Sequence, residues 1–167
     1  GTVQNAVNVA NGSSIAPGAA GAIGTLTLDG GSTTAALLTM DSGASFTFDL
    51  GMAGASDQLI FWNFAAGDLV LNANAINVTD AQIGTYTLMS FYSDGGSTAV
   101  SNGDIDGFLF NLTVSGYNPA QYDAALSTSG NNIILTMTAV PEPSTWAMIV
   151  GGMGLLMFGQ RLRRRSC

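Results

Sequence analysis

The chain has no histidine, no lysine, one glutamate, and a single cysteine that is its last residue. Its 4 basic residues are all arginines at or beyond position 161. Charged residues make up 9% of the 167 positions, against about 25% in an ordinary soluble domain. Each scarcity removes a class of chemistry. Residues 1–140 hold no cationic side chain for phosphate or nucleic acid, whose binding rests on such groups. They also lack imidazole, the side chain that titrates near neutrality, and any thiolate or zinc-ligand set. Nucleic-acid binding, P-loop chemistry, Ser–His–Asp and thiol catalysis, and zinc hydrolysis are therefore excluded for this part of the chain. Cys167 has no partner for an internal disulfide.

What remains is apolar and acidic. Hydrophobic residues reach 47%, Gly occupies 22 positions, and all ten Asp lie between Asp29 and Asp123. Disordered chains are poor in Val, Ile and Leu and rich in charge; this chain is the reverse. Its length suits one domain plus an appendage.

Composition separates three segments. Residues 1–22 are small, polar and rich in Gly, Ala and Asn, and read as a flexible leader or an edge element. No basic stretch followed by an apolar run opens the chain, and it starts at Gly, so it reads as a mature form whose secretory signal has been removed. Residues 23–140 alternate with period 2: Ile23–Leu28, Ser45–Leu50, Gln58–Trp62, Asp68–Leu71, Ala75–Thr79, Thr85–Met89, Gly107–Val114 and Asn131–Thr138. Runs rich in Thr, Val, Ile and Phe, separated by Gly, Asp, Asn and Ser, predict an all-β domain. Short strands with few charges and no long connection suit a short parallel β-solenoid, with a β-sandwich-like ectodomain as the alternative. Gly24–Leu28, the Asp29-Gly30-Gly31 turn, Phe46–Leu50, Ser56-Asp57-Gln58-Leu59 and Gly84–Leu88 follow one another in a pattern that resembles the autotransporter-associated β-strand repeat. That resemblance covers about residues 12–92 and implies a solenoid.

Residues 141–167 differ in kind. Pro141-Glu142-Pro143 precedes a 14-residue apolar run from Trp146 to Gly159, then Arg161, Arg163, Arg164 and Arg165. As a helix that run is ~21 Å long, and ~28 Å if counted from Ser144 to Leu162 with the arginines snorkelling, against a hydrocarbon core of ~30 Å. It predicts a single, barely sufficient C-terminal transmembrane helix. The arginine cluster puts that end in the cytoplasm and the β-domain outside. Proline motif, short apolar span and terminal arginines, in this order, resemble the PEP-CTERM sorting signal. The resemblance implies recognition at Pro141, Glu142 and Pro143, and cleavage by a membrane-embedded exosortase in a Gram-negative bacterium. Trp146 and the four arginines would set the anchor. It implies an inner-membrane stage with the ectodomain in the periplasm, then the cell surface or exopolysaccharide matrix, with exopolysaccharide a candidate partner. The plainer reading of the same residues is an ordinary C-terminal anchor behind a proline hinge.

Candidate chemistry within residues 23–140 is sparse, and no catalytic residue is assigned. Asp41-Ser42-Gly43 has the form of an aspartic-protease loop, but no second copy exists to share a proton, and the same tripeptide is a common turn. Asn102, Asp104 and Asp106 place oxygens at alternate positions, as the opening of a calcium loop does. Thr113 falls where an EF-hand needs glutamate, so only a simpler Ca2+ site is open, and no other cofactor is implied. Two Asp at the right separation could hydrolyse glycosides. Trp62, beside Phe61 and Phe64, reads as core, whereas Tyr117 and Tyr122 read as exposed candidates for sugar contact. The chain is expected to be a non-catalytic secreted surface or matrix protein. The alternatives are an Asp-dependent enzyme acting on matrix polysaccharide and a calcium-dependent adhesin.

Overall fold

The computed structural model describes residues 1–31, 36–65, 67–96, 98–100, 102–109, 111–141 and 148–156. Its β-structure is a parallel solenoid. Each rung contributes one strand to each of three sheets. The first rung is β1 (Thr2–Val3), β2 (Val7–Val9) and β3 (Ser14–Ile15). The second is β4 (Thr25–Asp29), β5 (Leu38–Met40) and β6 (Ser45–Asp49), and the third β7 (Gln58–Trp62), β8 (Leu69–Val70) and β9 (Asn74–Thr79). Sheet one then adds β10 (Gly84–Asp94), and sheet three adds β12 (Leu112–Ser115) after the short β11 (Thr98–Ala99) and helix α1 (Asn102–Leu109). Residues 1–22, which read as leader or edge element, supply the edge rung.

Register shows the repeat directly. Ile15 pairs with Phe46 and Phe46 with Ile76, steps of 31 and 30 residues. Val7, Leu38 and Leu69 are 31 apart, and Leu28, Phe61 and Phe91 are 33 and 30 apart. Adjacent strands are ~4.8 Å apart, so a side chain stacks on its equivalent one rung below. Because side chains alternate between faces, every second residue of each strand points inward. Leu28, Leu38, Met40, Phe46, Phe48, Leu59, Phe61, Ile76 and Phe91 are fully enclosed. The Phe61 and Phe91 rings stack with centroids 4.8 Å apart and planes 5° apart. Phe64 meets both edge-on.

The C-terminal end is closed by different means. β13 (Tyr122–Ser129) and β14 (Asn132–Ala139) form a hairpin whose second strand runs antiparallel to β10. Its two-residue turn begins with Gly130 at φ +60°, as tight hairpins require. A bulge in β10 between Thr87 and Met89 turns Leu88 and Met89 both inward. The step from Ile76 to its partner Val114 is 38 residues, longer than the others, because β11 and α1 stand where sheet two would add a strand.

Helix α1 corrects the strand expected from Gly107 through Val114: only Leu112–Ser115 is extended. Two glycines and two Asp are poor helix formers, but Ile105, Phe108 and Leu109 fall at the i, i+3, i+4 spacing of one helical stripe. Ile105 is fully buried, and Phe108 stacks on Phe91 and meets Phe64 edge-on. Burial of that stripe outweighs propensity. Asn102, Asp104 and Asp106, the residues of the candidate calcium loop, fall within this helix. Among the described residues no group of three or more His, Cys, Asp or Glu gathers as a metal site.

Beyond β14, Pro141 is exposed, and the described residues 148–156 are helical, here called α2. No helix among the described residues is long and apolar enough to cross a membrane. Glu142, Pro143, Trp146, Arg161, Arg163, Arg164 and Arg165 lie outside the described residues.

Phe61 tests the stacking. Phe61→Ala leaves a void beside Phe64 and Phe91 and is expected to cost ~3–5 kcal/mol, read from urea unfolding followed by circular dichroism.

Candidate functional site

Two places bring polar side chains together in ways the sequence did not reveal. The first is the corner between sheet three and sheet one. Phe48 and Leu50 point into the core, and Asp49 between them meets the loop that climbs from the first rung. Asp57 immediately precedes β7 of sheet one. Both are nearly inaccessible, Asp49 at 8% and Asp57 at 2%. Asp57 accepts hydrogen bonds from the backbone N–H of Gly24 at 2.7 Å and of Asp49 at 3.0 Å, one on each oxygen. Asp49 accepts from the Gly21 N–H at 2.7 Å and from the Thr79 hydroxyl. All four carboxylate oxygens are thus engaged, three of them by backbone amides.

This clasp ties residues 18–24 to the body. Gly18 is required there, because a Cβ at that position would overlap both the Ala22 carbonyl and the Asp57 carboxylate. A cavity of about 270 Å³ lies beneath the loop, bordered by Gly18, Gly21, Asp49, Asp57 and Asp80. The geometry suits structure rather than proton transfer. A glycoside-cleaving pair needs one carboxyl able to protonate a leaving group and another to attack or activate water, and here every oxygen already holds a protein donor.

Asn74 does the same work one corner away. Fully buried, it donates to the carbonyls of Asp41 and Ala44 at 2.9 Å each and accepts from the Asn72 N–H at 2.7 Å. Asp41-Ser42-Gly43 is accordingly a turn, closed by the Ala44 N–H on the Asp41 carbonyl at 2.9 Å.

The second place lies on the outer side of sheet one. Trp62 does not join the core, which corrects its assignment from sequence. Alternation along β7 sends Leu59 and Phe61 inward and leaves Trp62 half-buried on the outer face, directly beside Asp29 of β4. Thr2, Val3, Gln4, Asn5, Asp29 and Trp62 line an open cleft of about 710 Å³. Asn63 occupies the left-handed region at φ +52°, and its amide donates to Asp29 Oδ1 at 2.6 Å while its oxygen accepts from the Gly95 N–H at 2.9 Å. The Gly31 N–H adds 3.1 Å to the same Oδ1, and Gln4 approaches Oδ2 at 3.4 Å. These donors, Asn63 first and Gly31 next, hold the Asp29 carboxyl below its ordinary value of 3.8. Tyr117 and Tyr122, expected to be exposed, are half-buried against the core instead.

Asp106 is exposed on α1 and accepts from the Thr128 hydroxyl, fastening the helix to β13. The acids of the body thus act mainly as acceptors for loop amides and hydroxyls. The nearest thing to a signal in the sequence was position: Asp49 ends a strand and Asp57 immediately precedes the next.

Removing the Asp57 carboxylate strands two buried amides. Asp57→Ala is expected to cost ~2–4 kcal/mol and lower Tm by about 10 °C by scanning calorimetry. Asp29 predicts a pH effect. Its carboxyl titrates lower in the folded chain than in the unfolded one, so its contribution to stability is complete above pH 3.8 and is lost as pH falls through the folded value. Asp29→Asn should therefore lower Tm at pH 6 and narrow the gap to the parent as pH drops below 3.8, measured by thermal melts across pH.

Compared with known proteins, the chain matches no family model and no curated sequence. What it does has to be read from its own residues.

Proposed function

We propose that the chain is a non-catalytic exported protein of the cell surface or exopolysaccharide matrix, sorted through a PEP-CTERM-like tail and cleaved there by an exosortase-type membrane enzyme. The observation that carries this reading is the relation of the tail to the solenoid. The β-domain ends at Ala139, Pro141 follows it exposed, and α2 then presents Met148, Ile149, Val150, Met153, Leu155 and Leu156 to the surroundings at 51–78% exposure. An apolar helix standing clear of its own domain requires a covering, and lipid is the covering that its sequence context supplies. The apolar run from Trp146 to Gly159 would, as a helix, make a marginal span weakened by four glycines. The arginines beyond it would hold its end at the cytoplasmic face. Such a span retains the protein at the inner membrane, with the solenoid in the periplasm, until processing releases it.

The body supports the non-catalytic part of the reading. The buried acid pair found among the described residues, Asp49 and Asp57, has every oxygen occupied by the fold. An enzyme reading needs a carboxyl with a free oxygen facing substrate, and that pair does not provide one.

The test is intact-mass spectrometry of the protein recovered from the outer surface of its native cells. The expected mass ends between Glu142 and Arg161. A surface form that retains Arg161 through Cys167 overturns the sorting reading.

A further inference from the structure

We infer that the cleft between the first rung and Trp62 is a binding subsite for a neutral glycan. The inference deepens the surface-protein reading and rests on it for the setting in which such a ligand is met. Three features of the cleft carry it. First, Trp62 is an indole on the outer face of a sheet whose Leu59, Phe61 and Phe91 face inward, and it borders an open cleft of about 710 Å³. That is within the ~300–1,000 Å³ of small-molecule sites. Gly96 of the β10–β11 turn packs closely against Trp62, since a Cβ there would stand 2.9 Å from the indole Nε1. A flat, apolar ring is the surface on which the C–H face of a pyranose packs.

Second, the polar groups around it are those that recognise hydroxyls. Asp29 pairs with Trp62 across the strands, and its Oδ1 is held by Asn63 and Gly31. Among the described residues its Oδ2 meets only Gln4, at the long distance of 3.4 Å. One carboxylate oxygen is therefore anchored and the other has accepting capacity for a sugar hydroxyl. The amides of Gln4 and Asn5, both exposed, can donate and accept beside it. Hydrogen bonds to an ionised carboxylate are the stronger kind, and the donors that depress the Asp29 carboxyl keep it ionised at neutral pH.

Third, charge selects the ligand class. Asp29 is the only charged side chain among the described lining residues, and residues 1–140 carry ten Asp and no Lys, Arg or His. A uronate or sulfated polymer would bring its anions to this carboxylate without a cationic side chain to compensate. A neutral hexose polymer brings only hydroxyls and C–H faces.

The probes are linear glucose and mannose hexasaccharides, with hexagalacturonate as the acidic counterpart. They are titrated into the ¹⁵N-labelled full-length chain, held in a zwitterionic detergent that has no sugar headgroup. The readout is the indole N–H resonance of Trp62, identified by its loss in Trp62→Phe, together with saturation transfer to the sugar protons. At least one neutral probe is expected to shift that resonance saturably and hexagalacturonate to leave it in place. Asp29→Asn should raise Kd about tenfold, and Trp62→Ala should abolish saturation transfer. Folding of each variant is checked by its circular dichroism spectrum, and Gln4→Ala, on an exposed side chain, should weaken binding without touching the core. Absence of a saturable response to either neutral probe overturns the subsite. So does equal binding of hexagalacturonate, or undiminished binding by folded Asp29→Asn and Trp62→Ala. None of these results bears on export, which the mass of the surface form reports independently.

Discussion

The structure depends on vertical registry: each inward side chain must find its equivalent about 31 residues away, ~4.8 Å along the solenoid axis. Parallel pairing gives the stacked strands of the rungs one direction, and a one-residue slip would turn a whole face inside out. Phe46 above Ile76, and Leu28 above Phe61 above Phe91, satisfy this constraint with side chains of different size and shape. The stack therefore tolerates a degenerate sequence repeat. It does not tolerate a change in which residues of a strand are apolar.

Registry leaves a problem at the corners, where the backbone leaves the ladders and its amides lose their partners. An unpaired amide out of reach of water costs as much as a lost hydrogen bond. The solution is a set of short acceptors placed at the turns: Asp57 and Asp49 at one corner, Asn74 on the Asn72 N–H at another, Asp68 on the Ala65 N–H at 2.7 Å at a third. This explains how ten Asp coexist with no cationic side chain in the body. Several are neutralised in part by N–H dipoles, which complement a carboxylate without adding a formal charge. An acid-rich composition that first suggested a reservoir of catalytic or metal-binding groups is to a large extent the hardware of the turns.

Closure of the C-terminal end departs from the repeat, and it is there that reading from sequence fails most. The hairpin of β13 and β14 reverses direction against β10, and α1 replaces a strand. Tyr122–Ser129 escaped notice because Ala and Ser weaken its alternation. Asn102–Leu109 misled because its local preferences are those of a turn. Trp62 was misplaced by its neighbours, since a run of Phe61, Trp62 and Phe64 looks uniformly apolar until alternation assigns each residue a side.

By itself the sequence determined the class of the molecule. Thr, Val, Ile and Phe at period 2 make strands, and the absence of Lys, His and Cys from the body removes whole families of chemistry whatever the fold. The order of proline motif, apolar run and arginines is likewise a local, one-dimensional property. Tertiary structure alone decided parallel stacking over a sandwich, since strand pairing joins residues about 31 positions apart and no short window contains both partners. It alone decided which acids are clasps, because Asp57 and Gly24 meet only when two rungs stack. For the same reason it alone brought Gln4, Asp29 and Trp62 to one cleft, from three successive rungs whose nearness is created by the winding of the chain.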